Sequence, residues 1–177
     1  MGTLKKIEKK ILIIEDFLPN LENYLSDIYK INLYENKEYK EKFINENWPG
    51  KRSNTLFNEN KFLFFLILQN LNKICFLKKY HLKIFLHLRR KEDIFKDWIH
   101  KDGSECDYSF LVYLNKTNSN SGTYIYDEQN NIIADIKYVQ NRLVFYSACY
   151  NHKGYGHFGE SPENGRLTIN GFLTEIN

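Results

Sequence analysis

The sequence predicts an α+β, mainly β fold: a run of antiparallel strands closed as a sandwich or barrel, with helices from the N-terminal part packed on it. Three observations predict it. The chain carries 13 Phe and 13 Tyr in 177 residues, and aromatic side chains suit the pleated, half-buried surface of a strand. From Tyr80 onward, short apolar segments recur between clusters of Asn, Ser and Gly, the punctuation of a β-rich region. Before that point, apolar residues recur at steps of three and four, the period of helices lying on a sheet.

Taken in order, Ile11 to Ile14 is short, β-branched and followed by Glu15, Asp16 and Pro19, so it reads as a strand ending in a turn. In PNLENYLSDIYKI the residues Leu21, Leu25, Ile28 and Tyr29 form one helical stripe, with Asn20 placed to cap it. NWPGKRSNTL, with Pro49, Gly50 and Ser53, is expected to be irregular. NENKFLFFLILQNLNKICFL is apolar on several sides, which predicts a deeply buried helix with Asn58 as its cap, or else a central strand. The strands that follow are LKIFLHL, SFLVYLN, GTYIYDE, NIIADIKYV, RLVFYSACY and RLTINGFL, with hairpin turns at Asn130-Asn131 and Gln140-Asn141. The length suits one domain over 1–177, read as helical support over 1–79 and a barrel core over 80–177.

Composition removes several functional classes. An apolar content of 42% is too high for a disordered chain. A net charge of +3 is too mild to announce nucleic acid or a membrane surface. The basic segment around Lys78, Lys79, Lys83, Arg89, Arg90 and Lys91 reads as a solvated strand face rather than a polyanion site. Cys75, Cys106 and Cys149 are odd in number and form no CxxC pair, which suits a reducing, cytoplasmic setting. The N-terminal apolar run is too short for a signal core, and Phe62 to Leu68 is too short for a membrane span.

The chemistry concentrates in WIHKDG. Residues i and i+2 of a strand project to one face, so His100 and Asp102 aim a ring nitrogen and a carboxylate oxygen at one point, with Gly103 free to turn behind them. Alone the pair decides little, since chance supplies about 0.6 such His-x-acid pairs in a chain of this composition. A third ligand is available downstream in NHKGYGH, as His152 or His157. Two histidines and one carboxylate with open positions suit non-haem Fe(II), and three protein ligands plus water suit zinc. In GRLTINGFL, Arg166, Thr168 and Asn170 share one face of an otherwise apolar strand. A buried Arg needs an anion, supplied either by an internal salt bridge or by a ligand carboxylate held by the planar fork. Tyr124 and Tyr126 share a face, and Trp98 shares one with His100, which makes all three candidates for the mouth of a site.

HKDG at 100–103, YLN at 113–115, SGTYIY at 121–126, NH at 151–152 and GRLT at 165–168 occur in the order found in the Fe(II)/2-oxoglutarate-dependent dioxygenases. The chain resembles that superfamily, and in particular its prolyl-4-hydroxylase-like branch. The resemblance implies a double-stranded β-helix, the jelly-roll or cupin-like barrel, with the N-terminal helices on its major sheet. It matches His100, Asp102 and His152 to the iron ligands, and Arg166 to the residue that pairs with the distal carboxylate of 2-oxoglutarate, assisted by Thr168 and Tyr113. Two departures stand out: Ser121-Gly122 occupies a place where relatives often have two glycines, and KGYGHFGESPENG lengthens the interval from His152 to Arg166.

The function so implied is hydroxylation of a prolyl or other amino-acid side chain, peptide or free. It would use Fe(II), 2-oxoglutarate and O2, with ascorbate in support and succinate and CO2 as coproducts. The carboxylate of Asp102 favours hydroxylation, because halogenating relatives lack it. The alternatives are a jelly-roll module that binds without catalysis, and a zinc-dependent hydrolase using Glu105 or Glu160 as base.

Overall fold

A computed structural model describes residues 11–42, 48–74, 79–93, 98–102 and 106–176. In chain order its elements are β1 (Leu12–Ile14), α1 (Glu22–Tyr29), β2 (Tyr34–Glu35), α2 (Asn36–Lys42), β3 (Lys51–Thr55), α3 (Leu56–Glu59) and α4 (Lys61–Leu71). There follow β4 (Tyr80–Arg89), β5 (Tyr108–Tyr113), β6 (Asn118–Tyr126), β7 (Ile132–Tyr138), β8 (Leu143–Ser147), β9 (Asn151–Tyr155) and β10 (Arg166–Glu175). Every strand pairing is antiparallel. The major sheet runs β1-β8-β5-β10-β4-β3-β2 and the minor sheet β7-β6-β9. A backbone bridge from His100 to His152 adds residues 98–102 to the minor sheet beside β9.

The chain therefore passes from β4 in the major sheet to 98–102 in the minor sheet, back to β5, across to β6 and β7, and then through β8, β9 and β10 in alternation. That winding is the double-stranded β-helix. Strand parity assigns its two faces. Ile84, Leu86 and Leu88 of β4, Phe110 and Val112 of β5 and Leu167, Ile169 and Leu173 of β10 turn outward into one core with Leu25 and Ile28 of α1 and Leu63, Ile67 and Leu71 of α4. The alternate residues turn inward, where Leu111, Tyr113, Val144 and Tyr146 meet Ile125, Ile136 and Tyr138 of the minor sheet. The helices thus cover the outer face of the major sheet and leave the space between the sheets for chemistry.

Four local expectations change. Lys51–Thr55 is a strand, β3, although its sequence is polar and follows Pro-Gly, because β4 offers an open edge for it to pair with. Asn60, not Asn58, caps α4, its side-chain oxygen accepting from the Leu63 N–H at 3.0 Å. That helix is buried on one face only, for Phe62 and Phe65 are exposed. Asn20 makes no side-chain cap for α1; it adopts a left-handed conformation and its carbonyl accepts from Asn23. The two hairpin positions hold, with Asn130 and Asn141 both at positive φ.

Gly171 lies directly across from Phe110 in the β10–β5 register. A Cβ there would lie 2.1 Å from two carbons of the Phe110 ring, so Gly171→Ala is expected to destabilise the protein by about 1–3 kcal/mol through overpacking. A denaturant midpoint equal to that of the wild type would contradict this packing.

Candidate metal and 2-oxoglutarate site

His100 and His152 are held opposite each other by two backbone hydrogen bonds, His100 N–H to the His152 carbonyl at 3.1 Å and His152 N–H to the His100 carbonyl at 2.8 Å. Their rings lie 4.3 Å apart. Asp102, two residues on, returns to the same side, with its Oδ1 3.9 Å from His100 Nε2 and 3.5 Å from His152 Nε2. One ligand atom from each of the three residues lies within 4.8 Å of the others. The His100 Nδ1–H donates to the Trp98 carbonyl at 3.0 Å, which orients the ring and leaves Nε2 for the shared centre. Burial holds His152 below the ordinary imidazole range; Asp102 opposes this and His100 adds to it. The group offers two imidazole nitrogens and one carboxyl group, the donor set of a facial metal centre with open positions.

The other candidate ligand, His157, is engaged elsewhere: its Nε2 accepts from an Arg89 guanidinium N–H at 2.9 Å. Of the two histidines downstream, His152 is the one that converges with His100 and Asp102. Gly103 and Glu105 lie outside the described residues, and Glu160 does not line the cavity.

A cavity of about 480 Å³ extends from this group over the inner face of the major sheet. Arg166, at the start of β10, reaches into it and is 6% exposed. Its guanidinium donates to the Gly122 carbonyl at 3.1 Å and to Thr123 Oγ1 at 3.2 Å, while its buried Nε has no hydrogen-bond partner. Among the described residues no carboxylate pairs with it. A Cβ on Gly154 would sit 3.2 Å from the guanidinium nitrogen, so the glycine lets β9 cross close above it. A buried, unbalanced cation beside a metal-type donor cluster is what a keto acid needs: one end to chelate, the other to be paired.

The remaining sequence candidates divide. Thr168 lines the cavity, its hydroxyl donating to Asn170 Oδ1 at 2.7 Å. Trp98 also lines it and is 46% exposed, 5.7 Å from the His100 ring. Tyr113 is fully buried and does not line the cavity; its hydroxyl donates to Thr123 Oγ1 at 2.9 Å and joins the Arg166 cluster through that residue. Burial keeps this phenol protonated, although Arg166 and Thr123 pull the other way. Tyr124 and Tyr126 need correction: they do not line the cavity. Thr123 and Ile125 are the inward residues of β6, so the tyrosines face outward, where Tyr124 stacks on Tyr155 at 4.2 Å. Two residues escaped the sequence reading. Thr123 looked bland, and Tyr146 is seen only once the parity of β8 is known; it lines the cavity 5.3 Å from the His152 ring.

His87 lies between Arg52 and Thr168 in the sheet register and also lines the cavity. Burial, and after it the charge of Arg89, push its pKa down to about 3; Arg52 and Arg166 add to this and the Pro49 carbonyl opposes it. The unfolded chain takes up a proton here near pH 6.5, whereas the folded protein refuses it until far lower pH. Stability therefore falls as pH drops through that interval, by about 2 kcal/mol from this residue between pH 7 and 5. His87→Gln is expected to shrink the pH 7 to 5 loss of unfolding free energy by that amount, and equal losses in both proteins would contradict it.

No protein-family model matches the chain, and no curated protein matches it by sequence. Solved structures do match its fold. A prolyl-4-hydroxylase from Pseudomonas putida superposes with a TM-score of 0.58 at 12% identity, over 96% of this chain and 94% of that one. A prolyl hydroxylase from Trichoplax adhaerens, in complex with a hypoxia inducible factor oxygen degradation domain peptide fragment, gives 0.58 at 12% identity over 93% and 83%. The epimerase SnoN, in complex with Fe3+, alpha ketoglutarate and nogalamycin RO, gives 0.60 at 9% identity over 94% and 79%. At these identities what is shared is the fold: the chain has the double-stranded β-helix of these proteins.

Proposed function

We propose that the protein is an Fe(II)- and 2-oxoglutarate-dependent oxygenase that hydroxylates a prolyl or other amino-acid side chain, free or in a peptide. The observation that carries this reading is the pairing of two features in one cavity: the convergent His100, Asp102 and His152, and the buried Arg166 with no acid partner among the described residues. The three ligands would hold the metal. Arg166 would hold the far carboxylate of 2-oxoglutarate, with Thr123 fixing the guanidinium and Tyr113 fixing Thr123. Iron with 2-oxoglutarate and O2 supplies oxidation of an unactivated C–H bond, giving succinate and CO2 as coproducts. Tyr146 and Leu111 would keep water from the inner end, and Trp98 would meet substrate at the rim.

The same residues argue against the alternatives. A zinc hydrolase needs a base near its metal-bound water, and Glu160, one of the two acids that reading would use, does not line the cavity. A module that only binds has no use for three converging ligands. A reducing compartment suits Cys106 and Cys149, which are free thiols. No helix of the described residues is long and apolar enough to cross a membrane. The test is 2-oxoglutarate turnover by iron-loaded protein with ascorbate, across prolyl peptides and free amino acids. Succinate formation stimulated by one substrate class supports the reading, and none with any class sinks it.

A further inference from the structure

One hydroxyl in the cavity has nothing to donate to. Tyr146, on the inner face of β8, is 2% exposed and lines the cavity with its ring 5.3 Å from that of His152. Its hydroxyl makes no hydrogen bond with any of the described residues, and it is not sealed inside the packing either, so it opens onto the cavity. A buried hydroxyl without a partner costs stability that a phenylalanine in the same place would not. The ring alone serves the apolar cluster between the sheets, which it joins with Leu111 and Val144. Packing therefore accounts for an aromatic residue here and leaves the oxygen unexplained.

The polar residues near it are engaged with one another. Ser109, directly across from Tyr146 in the β5–β8 register, has its hydroxyl 3.6 Å from Cys106 Sγ. At the Arg166 end of the cavity, Thr123 Oγ1 accepts from both Tyr113 and the guanidinium, so that end is already tied together. Tyr146 lies instead against a ligand histidine. Burial, and after it the charge of Asp102, hold the phenol protonated, while Arg166 pulls the other way. Both charges thus act at the hydroxyl, yet it donates to neither Asp102 nor any other described residue. A neutral donor placed between a metal-type cluster and a buried cation suits an anionic oxygen lying between them.

We infer that Tyr146 is a further anchor for the keto acid: its hydroxyl donates to an oxygen of the 2-oxo acid end, the end that goes to the metal at His100, Asp102 and His152, while Arg166 takes the far carboxylate. This deepens the oxygenase reading and rests on it. The two anchors then fix the keto acid from opposite ends, one by charge and one by a single directed hydrogen bond, and the cost of leaving the hydroxyl unpaired is recovered when the ligand arrives.

The test compares the full chain with its Tyr146→Phe variant, which keeps the ring and removes only the hydroxyl. Under anaerobic conditions, so that binding is read without turnover, the affinity for Fe(II) alone is measured first. The affinity of the Fe(II)-loaded protein for 2-oxoglutarate follows, together with the visible charge-transfer absorption of the bound keto acid. The variant is expected to bind Fe(II) as the wild type does and 2-oxoglutarate about 10- to 100-fold more weakly, the loss of one hydrogen bond to a charged group. Its absorption band is displaced, because the hydroxyl touches the end of the ligand that meets the metal. Chemical denaturation of the metal-free variant gives a midpoint equal to or above that of the wild type, since the hydroxyl has no partner to lose. An unchanged 2-oxoglutarate affinity or an unmoved band overturns the inference. So does weakened Fe(II) binding, which would make Asp102 the partner, or a marked loss of stability, which would make the hydroxyl part of the packing. In those cases the wild type still binds 2-oxoglutarate and this inference alone fails; if the Fe(II)-loaded wild type binds none, the oxygenase reading fails and takes this one with it.

Discussion

Asp102→Ala is expected to remove iron retention and lower 2-oxoglutarate turnover by at least about a thousandfold, on the order of 4 kcal/mol of transition-state stabilisation. Asp102 is the carboxyl member of the proposed donor set, with its Oδ1 3.5 Å from His152 Nε2 and 3.9 Å from His100 Nε2. Without it, two imidazoles remain, one donor short of a facial set, and they hold Fe(II) poorly. The fold should not suffer, because His100 and His152 are fixed by their own backbone bridge, which does not involve the carboxylate. Metal analysis, succinate yield and a thermal melt on one preparation check all three statements. A variant that melts normally yet keeps stoichiometric iron and turnover would remove Asp102 from the site.

Arg166→Met is expected to weaken 2-oxoglutarate binding about 100- to 1000-fold while leaving the empty protein as stable as before, or more stable by about 1–3 kcal/mol. The first part follows from losing a charge-assisted, two-pronged contact in a buried place. The second follows because a buried guanidinium without an acid partner costs stability that an apolar side chain of similar length does not. Arg166 donates to Gly122 and Thr123, so some hydrogen bonding is lost, but its buried Nε has no partner to lose. Calorimetric titration gives the affinity and chemical denaturation the stability. Equal affinity in the variant, or a marked loss of stability, would mean that Arg166 holds the barrel together rather than a ligand.

Much of the barrel was legible because its strands alternate between a greasy outer face and an inner one. β4, β5 and β10 announce themselves that way, and the β6–β7 and β7–β8 hairpins carry Asn130 and Asn141 where a left-handed turn is needed. β3 and β9 were hidden for the opposite reason: KRSNT and NHKGY are polar, and they become strands only because a neighbouring edge accepts them. The pair His100 and Asp102 could be nominated from i, i+2 geometry, which by itself does not separate it from a chance pair. The partner histidine could not, since His152 and His157 differ in what they touch and not in their local pattern. Tyr124 and Tyr126 show the limit of the same logic, because shared parity puts two residues on one face without saying which face is inside. Thr123, the small residue between Gly122 and Tyr124, holds the inward position and links Tyr113 to Arg166.

The central claim is that one cavity holds a metal at His100, Asp102 and His152 together with an acid at Arg166. Anaerobic titration of 2-oxoglutarate into Fe(II)-loaded and metal-free protein tests it most directly. The account predicts one binding site per chain, with an affinity that drops by at least tenfold when the metal is removed. Binding of equal strength with and without metal, or no binding in either case, would contradict it.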